Sequence, residues 1–227
     1  LLEQRGADAV ELATHFLRGN LPERAKPHIQ PALDELARAQ QETATIELAD
    51  RALGIDGLLE PAERAKVLVS KADRLNVLGH YDEAEQAFLE SIACSDGAER
   101  HEAHIYLANL YVNQGRFEGA IEACNAAAEW AAAHDQHNLH GGAKLIGANA
   151  RLYQGQWDEC ITSYEEAVAL GDLSGVADAM SRGGPLGNLG WALGCVGRYR
   201  EALELSDRAV EVLADTPWGL AINLLYR

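Results

Sequence analysis

Aromatic residues are scarce in this chain, at 6% of 227 positions, and Ala and Leu dominate in their place. That balance argues against a sheet, because strands prefer β-branched and aromatic side chains, whereas Ala and Leu lose little freedom in a helix. Basic residues are also few. Nineteen Lys and Arg stand against 35 Asp and Glu, a formal net charge of −16. A surface this acidic repels phosphate, so nucleic acid is not the expected partner and an anionic membrane is disfavoured. A partner with a basic face would be steered in, and the same charge also serves plain solubility. No apolar run approaches the roughly 20 residues of a membrane span, and no basic segment followed by an apolar one opens the chain. No CxxC pair occurs. Cys94, Cys124, Cys160 and Cys195 recur at a nearly even interval in apolar helical contexts. They read as reduced, buried thiols of a cytoplasmic protein. What remains, 48% hydrophobic and 24% charged residues, is enough to bury a core.

The sequence repeats. Four segments align on a Gly, an aromatic two places on, and a small residue three further: Gly79-His80-Tyr81-Asp82-Glu83-Ala84, Gly115-Arg116-Phe117-Glu118-Gly119-Ala120, Gly155-Gln156-Trp157-Asp158-Glu159-Cys160 and Gly197-Arg198-Tyr199-Arg200-Glu201-Ala202. The period is about 40 residues, within the range of helical repeat arrays, and it lengthens slightly toward the C-terminus. A Gly can close a helix with φ > 0, and acidic residues suit the positive start of the next one. The aromatic is expected to fill the corner between two helices, and the small residue to let them approach. Helical spacing of apolar residues runs on both sides, as in Leu107, Ala108 and Tyr111 upstream and in Ala84, Phe88 and Ile92 downstream.

This pattern resembles the tetratricopeptide repeat family, over roughly residues 62–216. The long units resemble its kinesin-light-chain-like and LGN-like members, and Gly187-Asn188-Leu189-Gly190-Trp191-Ala192 resembles their first helix. The resemblance implies an all-α, right-handed α-α superhelix of stacked helix pairs, with first helices lining a concave groove. Residues 1–60 read as degenerate helical repeats, 61–216 as four helix pairs and 217–227, near Trp218, as the start of a further helix. In the N-terminal third, Glu11–Arg18 and Glu35–Leu53 read as amphipathic helices, with Pro27 and Pro31 expected to break or offset the chain between them. Glu11–Gly19 also resembles the helical region that follows the ATPase module of bacterial STAND-type signalling proteins. The chain starts at Leu1 and stops at Arg227 within an apolar helical pattern, so it is expected to be a piece of a larger polypeptide.

First-helix residues off the core face are the candidates for binding: Asp73 and Asn76, Asn109 and Asn113, Asn149 and Tyr153, and Asn188 and Trp191, with Val69, Glu102, Ile105, Leu145 and Gly187 beside them. Asn109 and Asn149 hold equivalent places in successive units. A side-chain amide both donates and accepts, so a row of them can hold an extended peptide's backbone. Trp191 is the candidate hot spot or, alternatively, a packed core aromatic. The double substitution Asn109→Ala with Asn149→Ala is expected to weaken binding and leave the melting midpoint nearly unchanged. Gly141, Gly142, Gly183 and Gly184 are expected in loops, and Gly190 in close helix packing.

Catalytic patterns are missing. His101-Glu102-Ala103-His104 is one residue short of the HExxH zinc motif, and His134, His137 and His140 are expected in a solvated loop. There is no phosphate loop and no GxSxG elbow. No enzyme activity, metal or cofactor is expected. The sequence supports a scaffold that binds a protein or extended peptide, whose partner could be another domain of the same polypeptide. The alternative is a ligand-sensing domain whose superhelix gates an attached kinase, ATPase or transcription effector.

Overall fold

The computed structural model describes residues 8–174 and 179–215, with backbone alone for 179–181. The further helix expected from 217 onward, with Trp218, lies outside them. Eleven helices and no strand occur among the described residues. They are α1 (Ala9–Arg18), α2 (Pro22–Arg38), α3 (Glu42–Leu53), α4 (Pro61–Val77), α5 (Tyr81–Cys94), α6 (Ala98–Asn113), α7 (Phe117–Ala133), α8 (His137–Tyr153), α9 (Trp157–Leu173), α10 (Ala179–Cys195) and α11 (Tyr199–Val212).

One backbone device closes seven of the turns between them. Gly79, Gly115, Gly155 and Gly197 have φ of 81°, 74°, 73° and 85°. In each case the next N–H reaches back into the last turn of the helix, as His80 to Leu75 O at 2.9 Å and Arg198 to Leu193 O at 2.9 Å. This is the left-handed C-terminal closure that favours Gly. Asn20, Gln40 and Asp135 adopt a left-handed φ too, 53° to 54°, without being Gly. Leu21, Gln41 and Gln136 make the same return bond, each at 2.9 Å. The N-terminal third therefore turns by the same mechanism as the Gly-marked repeats, and the sequence pattern concealed it because the marker residue differs.

The chain divides into two compact units, residues 1–110 and 111–227. In the first, α2 packs on α1, α3 and α4, and α4 packs on α5. Its core joins Phe16, Ile29, Leu33, Leu48 and Val67. In the second, α8 packs on α7 and α9, and α10 packs on α8, α9 and α11. Tyr164, fully buried, sits with Leu152, Cys160, Leu189 and Leu193. Burial of such side chains at about 1.5–3 kcal/mol each is what holds successive pairs together.

Several expectations are corrected. Pro27 and Pro31 do not break the chain, for both lie inside α2. Both face solvent, so the carbonyls they leave unpaired can be met by water, while Ala25, Ile29, Leu33 and Leu36 anchor the opposite face. The segment 35–53 is two helices, parted by the Gln40 closure. Gly141, Gly142, His137 and His140 are within α8, and Gly183 and Gly184 within α10; His134 caps α7. Gly183 is needed for contact, since a Cβ there would come within 2.5 Å of Leu213 Cγ. Gly190 is close-packed as expected, with only 3.0 Å between an added Cβ and Ser206 Oγ. The corner aromatics do not all fill the corner. Tyr81, Phe117, Trp157 and Tyr199 each open a helix right after a closure; Tyr81 and Tyr199 are exposed, Tyr199 at 69%, whereas Phe117 is half-buried. The small residues Ala84, Ala120 and Cys160 are fully buried instead.

Candidate functional site

In the first unit, α2, α4 and α6 present a polar face. Gln30 on α2 donates to Asp34 Oδ1 at 2.8 Å and to Ser70 Oγ of α4 at 3.4 Å. Asp73 is paired with the neighbouring Arg74, whose guanidinium also bonds Glu42 of α3 at 3.1 Å. Arg74 is thus held between two carboxylates. Tyr106 of α6 stacks on Phe88 with ring centroids 6.2 Å apart. Burial foremost, then the charges of Asp73 and Glu102, pushes its hydroxyl up to about 12. Glu102 remains exposed, yet desolvation of its carboxyl raises its pKa, with Lys66 opposing and Glu99 adding. Asn76 Oδ1 and Gln30 Oε1 are buried acceptors without a hydrogen-bond partner. Asn109 is half-buried. Val69, expected on this face, is only 9% exposed and belongs to the core. The face is rich in acceptors and negative charge, which suits a cationic or N–H-bearing group.

Sequence reasoning missed Gln30, Asp34 and Tyr106. Asp34 precedes Asp73 by close to one repeat length, and that spacing was the available clue. It was obscured by Gln40 standing where the later repeats have Gly.

In the second unit, Asn149 of α8 is the meeting point of three helices. Tyr164 of α9 donates its hydroxyl to Asn149 Oδ1 at 2.6 Å. Asn188 of α10 donates its amide to the same oxygen at 3.2 Å. Asn149 therefore serves packing as well as the surface, since the hydroxyl it accepts from belongs to a fully buried side chain. Tyr153, one turn along α8, is 63% exposed and stacks on Phe117 at 5.7 Å. Trp191, half-buried, packs against the core around Tyr164. It also lines a cleft of about 410 Å³ with Gly190, Gly194, Tyr199 and Leu203. Asn113 is exposed at the end of α6. Asn149 and Asn188 are brought together; Asn113 joins neither.

No cluster of three metal-binding side chains occurs among the described residues. His104 is held below the usual imidazole pKa by burial and by Arg100. Burial pushes the Cys124 and Cys160 thiols up to about 12 and about 11. Cys195 is exposed, contrary to expectation, and Cys94 half-buried. No described helix is long and apolar enough to cross a membrane.

Two family models, both described as tetratricopeptide repeat, match residues 70–136 and 145–215, between them well over half of the chain. No curated protein sequence matches significantly. Among solved structures, a Rap protein complexed with Competence and Sporulation Factor is similar with a TM-score of 0.77 at 14% identity, over 89% of this chain and 57% of that one. Bacillus thuringiensis PlcR, in complex with the peptide PapR7 and DNA, is similar with a TM-score of 0.73 at 14% identity, over 88% and 73%. YrrB, a TPR protein with an unusual peptide-binding site, gives a TM-score of 0.51 at 16% identity, over 94% and 98%. The chain spans little more than half the length of the Rap protein.

Proposed function

Because this chain belongs to the tetratricopeptide repeat family, we propose that it is a scaffold that binds a protein or an extended peptide through its first-helix faces. The observation that carries this reading is hydrogen-bonding capacity left over on those faces. Asn76 Oδ1 and Gln30 Oε1 accept nothing in the first unit. In the second, Asn149 and Asn188 each use one end of an amide. Buried polar atoms without partners are rare in folded proteins, and a ligand is one way of meeting them. The partner of the first unit is a segment bearing Lys or Arg, because Asp34, Asp73 and Glu102 outnumber the one guanidinium among them. The chain acts as an interaction module of a larger signalling protein.

A sensor reading is kept for one reason. PlcR, whose fold is similar, was solved with both a peptide and DNA, so a peptide-occupied fold of this kind can sit beside an effector. Selection from a random heptapeptide display pool on the whole chain tests the scaffold reading. Enrichment of peptides carrying Lys or Arg, lost on Asp34→Asn with Asp73→Asn, is the expected result. A pool that yields no specific binder, with small metabolites raising the melting midpoint instead, would sink it.

A further inference from the structure

We propose that the turn joining α8 to α9 is a second docking surface, which takes an arginine-bearing segment of a partner protein on the rings of Tyr153 and Trp157, with Glu118, Asp158 and Glu159 as its counter-charges. It lies at a helix-to-helix turn rather than along a first-helix face, and it does not rest on the reading above.

The surface follows from the local closure. Gly155, with φ of 73°, ends one helix and admits the next, so that Tyr153 is the last residue of α8 and Trp157 the first of α9. Neither ring is drawn into the core. Tyr153 lays one face on Phe117, with ring centroids 5.7 Å apart and planes 16° from parallel, and is still 63% exposed. Trp157 is 36% exposed and has no ring partner among the described residues. The turn is tied to the preceding helix pair, for Gln154 donates to Glu118 Oε1 of α7 at 2.7 Å. A single exposed apolar residue is ordinary. A Tyr and a Trp presented together at one tethered turn are the residue types that interfaces concentrate.

The charge beside these rings is negative and unmatched. Asp158 and Glu159 follow Trp157 directly and are exposed, as is Glu118. None of the three pairs with a cation among the described residues. Arg151 does not serve them, because its guanidinium lies over Gly147, one turn back along α8. A guanidinium answers both features at once: its flat face stacks on an aromatic ring while its N–H edge bonds a carboxylate. The chain uses the stacking half of that pairing itself at the Gly115 turn, where Arg116 Cζ stands 3.9 Å from the ring centre of Tyr111. At the Gly197 turn the acid is already answered. Arg198 bonds Glu201 at 2.8 and 2.5 Å, and Arg200 follows Tyr199 directly. Among the described Gly turns of the second unit, the Gly155 turn therefore combines open rings with uncompensated carboxylates. The net charge of −16 draws a basic segment toward it.

The probe is acetyl-Arg-Gly-Arg-amide, titrated into the intact chain while the indole N–H signal of Trp157, identified with Trp157→Phe, is followed by NMR. The signal should move saturably, and acetyl-Lys-Gly-Lys-amide should bind about threefold or more weakly, since an ammonium brings charge without a flat face. Asp158→Asn with Glu159→Gln should weaken the arginine probe by about threefold or more, and Tyr153→Ala by a similar factor. Asp158 and Glu159 are exposed, so their variant should melt with the parent by circular dichroism; the comparison of the two probes needs no variant at all. Asp34→Asn with Asp73→Asn strips the acidic face of the first unit and should leave the Trp157 titration within about twofold. A Trp157 signal that stays in place, equal binding of the lysine probe, or a titration indifferent to Asp158→Asn with Glu159→Gln overturns the proposal. If the Asp34 and Asp73 substitutions abolish the shift instead, the cation belongs to the first-helix face, and this surface is wrong while the scaffold reading stands.

Discussion

Asn149 illustrates how one residue can serve the fold and the surface together. Its carbonyl oxygen ties α8 to Tyr164 of α9 and Asn188 of α10, while its NH2 end is left for other use. Removing the side chain leaves a phenol hydroxyl with a lost acceptor in the core. Asn149→Ala is expected to lower stability by about 1–3 kcal/mol, read as a fall in the denaturant midpoint, whereas Asn109→Ala should stay within about 0.5 kcal/mol. Equal effects at the two sites would contradict the assigned roles. Tyr106 gives a second expectation at this scale. Its folded-state pKa, about 12, lies above the ordinary value of 10.0. The folded state therefore holds its proton longer than the unfolded chain does. The associated stability is complete below pH 10 and is lost as pH rises toward 12. Tyr106→Phe should flatten that part of the stability curve in alkaline melts; an unchanged slope would assign the loss to other groups, such as the raised thiol of Cys124.

At the scale of helices and turns, a single closure repeats through the chain with different residues in the key position. Gly79 adopts φ of 81° without a Cβ to clash, while Asn20 adopts 53° with one. A left-handed conformation costs a non-Gly residue about 1 kcal/mol, less for Asn. Asn20→Gly should thus be neutral or slightly stabilising, and Gly79→Ala destabilising by about 1 kcal/mol. A Gly79→Ala variant that melts with the parent would show that this turn does not need its left-handed residue. The helices themselves were legible because the Ala- and Leu-rich periodicity is dictated locally. Their starts were less so. The Gly pairs in α8 and α10 read as loops on propensity, yet Gly183 is required by Leu213 at the end of α11, a contact between separate helices that no local rule contains.

For the molecule as a whole, the governing quantity is charge. A net charge of −16, with Asp34, Asp73 and Glu102 on one face, means that attraction of a basic peptide should weaken with salt. Raising ionic strength from about 0.05 M to 0.5 M shortens the screening length from roughly 14 Å to 4 Å. Affinity for Lys- or Arg-bearing peptides should fall several-fold across that range, measured by fluorescence anisotropy. The same titration with a neutral peptide held by the second unit should be nearly flat. A flat response for both would remove the acidic face from the recognition.

Three properties could be read without any fold in view: that the chain is helical, that its helix pairs recur at a nearly even interval, and that Gly79, Gly115, Gly155 and Gly197 end helices. Each rests on short-range physics: side-chain entropy, helical periodicity and the absence of a Cβ. Packing was needed to show that Pro27 and Pro31 ride on a continuous helix, that Tyr81 and Tyr199 stand exposed at their helix starts, and that Asn149 is bound to Tyr164 and Asn188. Those outcomes depend on which face of each helix its neighbours cover. Burial against other helices can outweigh a local helix-breaking preference, and it alone settles which end of an amide is left to meet a partner.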